Sequence, residues 1–233
     1  HPPFGHGGED ALNRMMEGHG GFEHNKQSRL VVEKLEIVYP DFEGLNLSLE
    51  VLDGLIKHQT AFDQGGKKLG TSSLEAQIVN VADEIAYINH DLDDGLRGGL
   101  IHLGELDGYE LWGLARRSVE KRYGEGLDED ILVARTISSI MSMMVCDLVE
   151  NSGEGEVRFS DEMKEMVADL RKFLYDNFYM NPQILEDVME GQRMIEELFE
   201  YYLGLGWDHE EVKNYIAGMT DSFLLKEYKT HII

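Results

Sequence analysis

Apolar residues recur at Leu74, Ile78, Val81, Ile85, Ile88 and Leu92, the three-and-four spacing that lines one face of an α-helix. This run predicts a long helix opened by Ser72, with Glu75 three residues on in the pattern of a capping box, and closed near Gly95. At about 100° per residue, Asn80, Asp83, Tyr87, Asp91 and Asp94 fall nearly opposite the apolar stripe. The helix therefore has an ordinary core face and, across from it, a column of carboxylates interrupted by one tyrosine.

The same period runs through ELDGYELWGLARRSVEKRY, DEDILVARTISSIMSMMVCDLVE, SDEMKEMVADLRKFLYDNFY and PQILEDVMEGQRMIEELFEYYLGL. Ser160 is the expected N-cap of the third of these, with Asp161 and Glu162 well placed for its dipole. Nearer the start, EDALNRMM reads as a short helix closed by the glycines of EGHGG. In FEHNKQSRLVVEKLEIV, Val31, Leu35 and Val38 share a face onto which His24 also projects. Ser48 is placed to cap SLEVLDGLIKH, while HQTAFDQGGKKLG and NSGEGE read as loops. No repeat of fixed period interrupts the pattern, so the expectation is one continuous all-α domain over residues 1–233.

Composition narrows the partners. Forty-five acidic against 21 basic residues give a net charge of −24, a field that repels polyanions and excludes broad nucleic-acid binding. A phosphorylated small molecule stays admissible if metal ions and a few placed cations neutralise it locally. The single cysteine, Cys146, sits in an apolar-periodic stretch and is expected to be a core thiol; it permits no intrachain disulfide and points to a reducing, cytoplasmic setting. No run reaches the roughly 20 apolar residues of a membrane span, so no membrane partner is expected.

Two groups of residues could carry chemistry. His1, His6, Glu9 and His24 are the first: imidazoles move protons near neutral pH, and a carboxylate bonded to one fixes its tautomer. His6 and Glu9 are three apart, so in a first helical turn they lie on one side and can touch, and Pro-Pro-Phe-Gly frames them in restricted backbone. A surface turn with scattered histidines is the competing reading. Asp83, Tyr87 and Asp91 are the second group; carboxylates are hard ligands for Mg²⁺ or Mn²⁺, and with imidazoles they also suit Fe or Zn, although a solvated acidic face has the same pattern.

HPPFGHGGEDALNRMM, GGFEHNKQSRLVVEKLE, LNLSLEVLDGLIKH, SLEAQIVNVADEIAYINHDLDDGLRGGLI and YIAGMTDSFLLKEY occur in the order and spacing of deoxyguanosine triphosphate triphosphohydrolases. The chain resembles that family, part of the HD superfamily of metal-dependent phosphohydrolases, over nearly its whole length. The resemblance implies an all-α HD-type fold and hydrolysis of dGTP or another dNTP to deoxynucleoside and inorganic triphosphate, with a divalent metal (Mn, Mg or Fe) activating the attacking water. It implies that Asp83 is a metal ligand and that His6 and Glu9 are the catalytic histidine and its acidic partner. His24 is implied to act beside them, and His1 and His24 to meet the phosphates. Tyr87 would pack on the deoxyribose and Asp91 would accept the 3′-hydroxyl. The family string His-Asp-x-Gly-His-x-Pro-Phe-Gly-His sets His1 at its third histidine, so the remaining metal ligands are expected ahead of His1. A homo-oligomer is implied too, as is a nucleotide or single-stranded DNA effector. Lys57, Lys67, Lys68 and Arg97 are candidate polyphosphate partners. The alternative is a nucleotide-binding regulatory subunit without catalysis.

Overall fold

The computed structural model describes residues 2–56, 73–153 and 155–233. Among these are ten α-helices and no strand; an isolated antiparallel bridge pairs Gly153 with Glu156. The all-α expectation holds. The helices fall into two compact units, residues 1–57 with 182–233 and residues 58–181.

The first unit contains α1 (Gly5–Met15), α2 (His24–Leu30), α3 (Leu49–Ile56), α8 (Pro182–Gly204), α9 (His209–Ala217) and α10 (Asp221–His231). Its core joins Ala11, Leu12 and Met16 of the first segment to Ile195, Leu198, Phe199 and Tyr202 of α8, with Val212, Ile216 and Leu224 beneath. Helix α1 starts four residues before the expected EDALNRMM, because Phe4 turns the chain at φ 61° and starts the helix at Gly5. A phenylalanine in the left-handed region is strained. Its neighbours hold it there: its N–H donates to Asp221 Oδ1 at 3.0 Å, and its ring lies where a Cβ on Gly191 would come within 2.7 Å. Gly8 is under the same constraint, since a Cβ there would sit 1.8 Å from the Pro3 carbonyl oxygen.

Helix α2 is capped by Glu23, which accepts from the N–H groups of Asn25 and Lys26 at 2.8 and 3.1 Å. It runs into a wide π-type turn at Val31–Leu35. That turn breaks the 3.6-residue period and the helix ends at Leu35, so the expected inward stripe fails beyond Val31, with Leu35 41% and Val38, past the helix end, 57% exposed. His24 is buried, as its position on the stripe suggested.

The second unit contains α4 (Leu74–Arg97), α5 (Glu110–Tyr123), α6 (Glu129–Asn151) and α7 (Asp161–Leu174). Ser73, rather than Ser72, caps α4, accepting from Ala76 N–H at 3.2 Å; Ser72 lies outside the described residues. Along α4, Ile85, Ile88 and Leu92 are buried, whereas Leu74 and Ile78 at its start are exposed. Helix α4 continues past Gly95, which is buried because the returning chain brings Ile101 Cδ1 within 2.5 Å of where a Cβ would stand. Ser160 caps α7 as expected, accepting from Met163 N–H at 3.1 Å, and Asp147 of α6 accepts from both the Ser160 N–H and its hydroxyl.

Helix α6 corrects two expectations. Contrary to the sequence reading, it is long and apolar enough, by length and composition, to cross a membrane. In this unit Val133, Thr136, Ile137, Ile140 and Met144 instead bury one side of it in the core shared with α4 and α5. Cys146 is exposed and not a core thiol, because it projects from the opposite side of the helix to the buried row.

Candidate functional site

The candidate residues fall into two groups, one in each unit. In the first unit, α1 carries His6 and Glu9 on its first turns, and the chain returns through a glycine-rich turn to begin α2 at His24. Phe22 N–H donates to Asn13 Oδ1 at 2.9 Å, tying that return to α1. The result is a tight carboxylate–imidazole pair. Glu9 accepts from the backbone N–H of His24 at 3.0 Å, and its two oxygens lie 3.0 and 2.9 Å from His24 Nδ1. Both side chains are largely withdrawn from water, with 7% of His24 and 16% of Glu9 exposed.

Burial alone pushes the Glu9 carboxyl up. The hydrogen bonds from the His24 ring and backbone, with the charges of His24 and His6, outweigh it and hold the group below its ordinary 4.5. Glu9 is thus kept ionised. An ionised carboxylate on Nδ1 keeps the proton on that nitrogen and fixes the ring's tautomer and orientation. His6 is exposed, and its ring stands edge-on to His24 with centroids 6.3 Å apart. The three-residue spacing suggested a His6–Glu9 dyad; the hydrogen bonds described for Glu9 run to His24, fifteen residues away.

Glu23 completes a trio: ligand atoms of Glu9, Glu23 and His24 lie within 4.8 Å of one another. Two carboxylates and an imidazole are a donor set that a divalent ion could use. Both carboxylates are engaged, however, Glu9 on His24 and Glu23 on the first turn of α2. In this arrangement Glu9 fixes His24 and Glu23 caps α2. Asp83, the residue expected to bind metal, is an exposed carboxylate on α4. It has the right chemistry for a hard cation. Catalytic metals take at least three protein ligands, so the described residues do not make a complete site around Asp83.

In the second unit, Tyr87 and Asp91 lie half-buried one turn apart on α4. Asp91 accepts a hydrogen bond from the hydroxyl of Tyr179, which follows α7. Burial pushes the Asp91 carboxyl up, with help from Asp94 and opposition from Tyr179 and His90. Tyr87 is pushed up to about 12 by burial and by Glu84, against Arg171. Arg171 of α7 pairs with Glu84 at 3.0 Å. Sequence reasoning missed Arg171 and Tyr179: they are ordinary members of an amphipathic helix and its tail, 87 and 88 residues from their partners. Asp94 is exposed. Arg97 pairs with Asp93 at 2.8 Å on the exposed face of α4. His1, Lys57, Lys67 and Lys68 lie outside the described residues.

Comparison with known proteins connects these groups to a family. Residues 157–211, which include Arg171 and Tyr179, match the phosphohydrolase-associated domain. A deoxyguanosinetriphosphate triphosphohydrolase-like protein of Geobacter metallireducens is 39% identical over 268 aligned positions, covering 98% of this chain and 69% of the relative. The similarly named proteins of Ralstonia nicotianae and Leptospira interrogans are 38% and 33% identical, covering 98% and 99% of this chain and 69% and 70% of theirs. With identity at this level along almost its entire length, the chain belongs to the deoxyguanosinetriphosphate triphosphohydrolase-like family of HD-type phosphohydrolases.

Proposed function

We propose that this protein hydrolyses a deoxynucleoside triphosphate, dGTP foremost, to the deoxynucleoside and inorganic triphosphate. The observation that supports this most directly is the Glu9–His24 pair beside His6, a carboxylate-fixed imidazole next to a second, exposed imidazole. In the reaction, water oxygen bonds to the α-phosphorus, the bond from that phosphorus to the 5′ oxygen breaks, and the 5′ oxygen takes up a proton. An imidazole can hold that proton near neutral pH and release it to the leaving oxygen as charge develops. His6 is assigned this transfer. His24, locked by Glu9, is assigned the phosphate contact.

On α4, Tyr87 is assigned the face of the deoxyribose, where its ring disfavours a 2′-hydroxyl. Asp91 is assigned acceptance of the 3′-hydroxyl, with Tyr179 orienting its carboxylate. The divalent metal that the family implies would neutralise phosphate charge and acidify water when bound. Asp83 is the described residue suited to be one of its ligands.

The test is product analysis with the full-length protein, dGTP and Mn²⁺ or Mg²⁺. Tripolyphosphate and deoxyguanosine in equal amounts are expected; pyrophosphate or orthophosphate would overturn the reading. His6→Ala should lower kcat by about 10²- to 10⁴-fold while dGTP still binds. Binding by the unmodified protein without turnover would instead identify a regulatory subunit.

A further inference from the structure

Charge pairing in this acidic chain has one concentrated exception. Seven of the ten arginines pair with a carboxylate. Arg122 of α5 and Arg135 of α6 pair with none among the described residues, and both line one open groove between the two helices. For Arg135 the reason is local: the residues three and four away on either side, Ile131, Leu132, Ser138 and Ser139, offer no carboxylate. The groove measures about 330 Å³, and among the described residues no carboxylate lines it. Glu120, which lies between lining residues of α5, pairs with Arg116, and Asp147, beside Cys146, accepts from Ser160. None of the residues assigned to catalysis lines the groove.

Two guanidiniums on one small concavity repel each other unless something negative lies between them. The rest of the lining suits an anion. A helical serine commonly bonds back to the carbonyl four residues earlier, as Ser142 does to Ser138 at 2.9 Å. Ser118, Ser138 and Ser139 have no hydrogen-bond partner among the described residues, so their hydroxyls are left to donate into the groove. Buried Val119 and half-buried Met143 supply apolar surface, and the Arg122 guanidinium lies over the Tyr123 ring, 5.2 Å from its centroid. Guanidinium forks and hydroxyls are the donor set of a phosphate group. A planar carboxylate is satisfied by one arginine, whereas a tetrahedral phosphate has oxygens for both helices. The lysine-bearing cavity of the first unit lacks this balance, since Lys26 and Lys213 share it with Glu23 and Glu210, and Glu210 pairs with Lys213. We propose that the groove between α5 and α6 binds the phosphate group of a small molecule, held by Arg122 and Arg135 with Ser118, Ser138 and Ser139 donating to its oxygens.

The test is calorimetric titration of the full-length protein, kept free of divalent metal, with phenyl phosphate and with pyrophosphate, and with citrate as the carboxylate control. Arg122→Gln and Arg135→Gln should each weaken the binding of both phosphates by about 10- to 100-fold. Circular dichroism should not change, because both side chains are exposed. Tighter binding of phenyl phosphate, lost in Tyr123→Ser, would identify an organic phosphate as the occupant; tighter binding of pyrophosphate would identify an inorganic one. Dissociation constants unmoved by both arginine variants would overturn the proposal, as would citrate binding as tightly as either phosphate. Binding lost in His6→Ala but kept in the arginine variants would set the phosphate at the catalytic imidazoles and overturn it too. So would an unmodified protein that binds neither phosphate.

Discussion

Glu9 keeps its charge against its own burial, chiefly through the hydrogen bonds and charge of His24, with the charge of His6 adding to them. Since the folded carboxyl lies below its unfolded value of 4.5, its contribution to stability is present above that pH and is lost as the pH falls through the lowered value. Glu9→Gln should therefore cost about 1.5 to 3 kcal/mol at neutral pH and flatten the acid limb of a stability profile measured by urea denaturation. An unchanged acid limb would detach Glu9 from His24. Little of this pairing was legible beforehand. The three-residue spacing pointed Glu9 at His6, because periodicity reports only neighbours on one helix; the hydrogen bonds from His24 arrive through a glycine-rich return that no period encodes. Asp91 teaches the same lesson, its place in the polar column evident from spacing and its partner Tyr179 invisible at 88 residues' remove.

At the scale of elements, local chemistry was a good guide wherever a helix end is satisfied by its own residues. Ser160 was readable as the cap of α7, though not its hydroxyl's second engagement with Asp147, 2.6 Å away on α6. Ser160→Ala should accordingly cost more than the ~1 kcal/mol of an ordinary cap, because a half-buried carboxylate loses a donor as well. Asp147→Ala in the same background should then cost less than it does alone, and strict additivity in a double-mutant cycle would disprove the link. The stripe after His24 was misread for a physical reason: Leu35 and Val38 were projected along a regular helix, but the wide turn at Val31–Leu35 rotates Leu35 outward and the chain leaves the helix before Val38. Cys146 was misread because α6 is apolar on two sides, and composition does not say which side meets the core.

For the whole molecule, the excess of acidic residues is the governing quantity. Like-charge repulsion works against the compact state and is screened by salt. Raising ionic strength from about 10 mM to about 150 mM, which shortens the Debye length from roughly 30 to 8 Å, should raise the thermal midpoint. A midpoint that falls with salt would mean that attractive pairs such as Arg171–Glu84 outweigh the net field. The sequence by itself determined the helical class, most helix positions, the acidic field and the residue types able to move protons or hold phosphate and metal, all of which follow from period, propensity and charge. Tertiary structure decided which groups are joined: Glu9 to His24, Asp91 to Tyr179, Glu84 to Arg171. It also decided that the second apolar side of α6 faces outward. Such pairings depend on the paths of loops and on which of two competing faces is buried, and both are set by the packing of distant segments rather than by any local pattern.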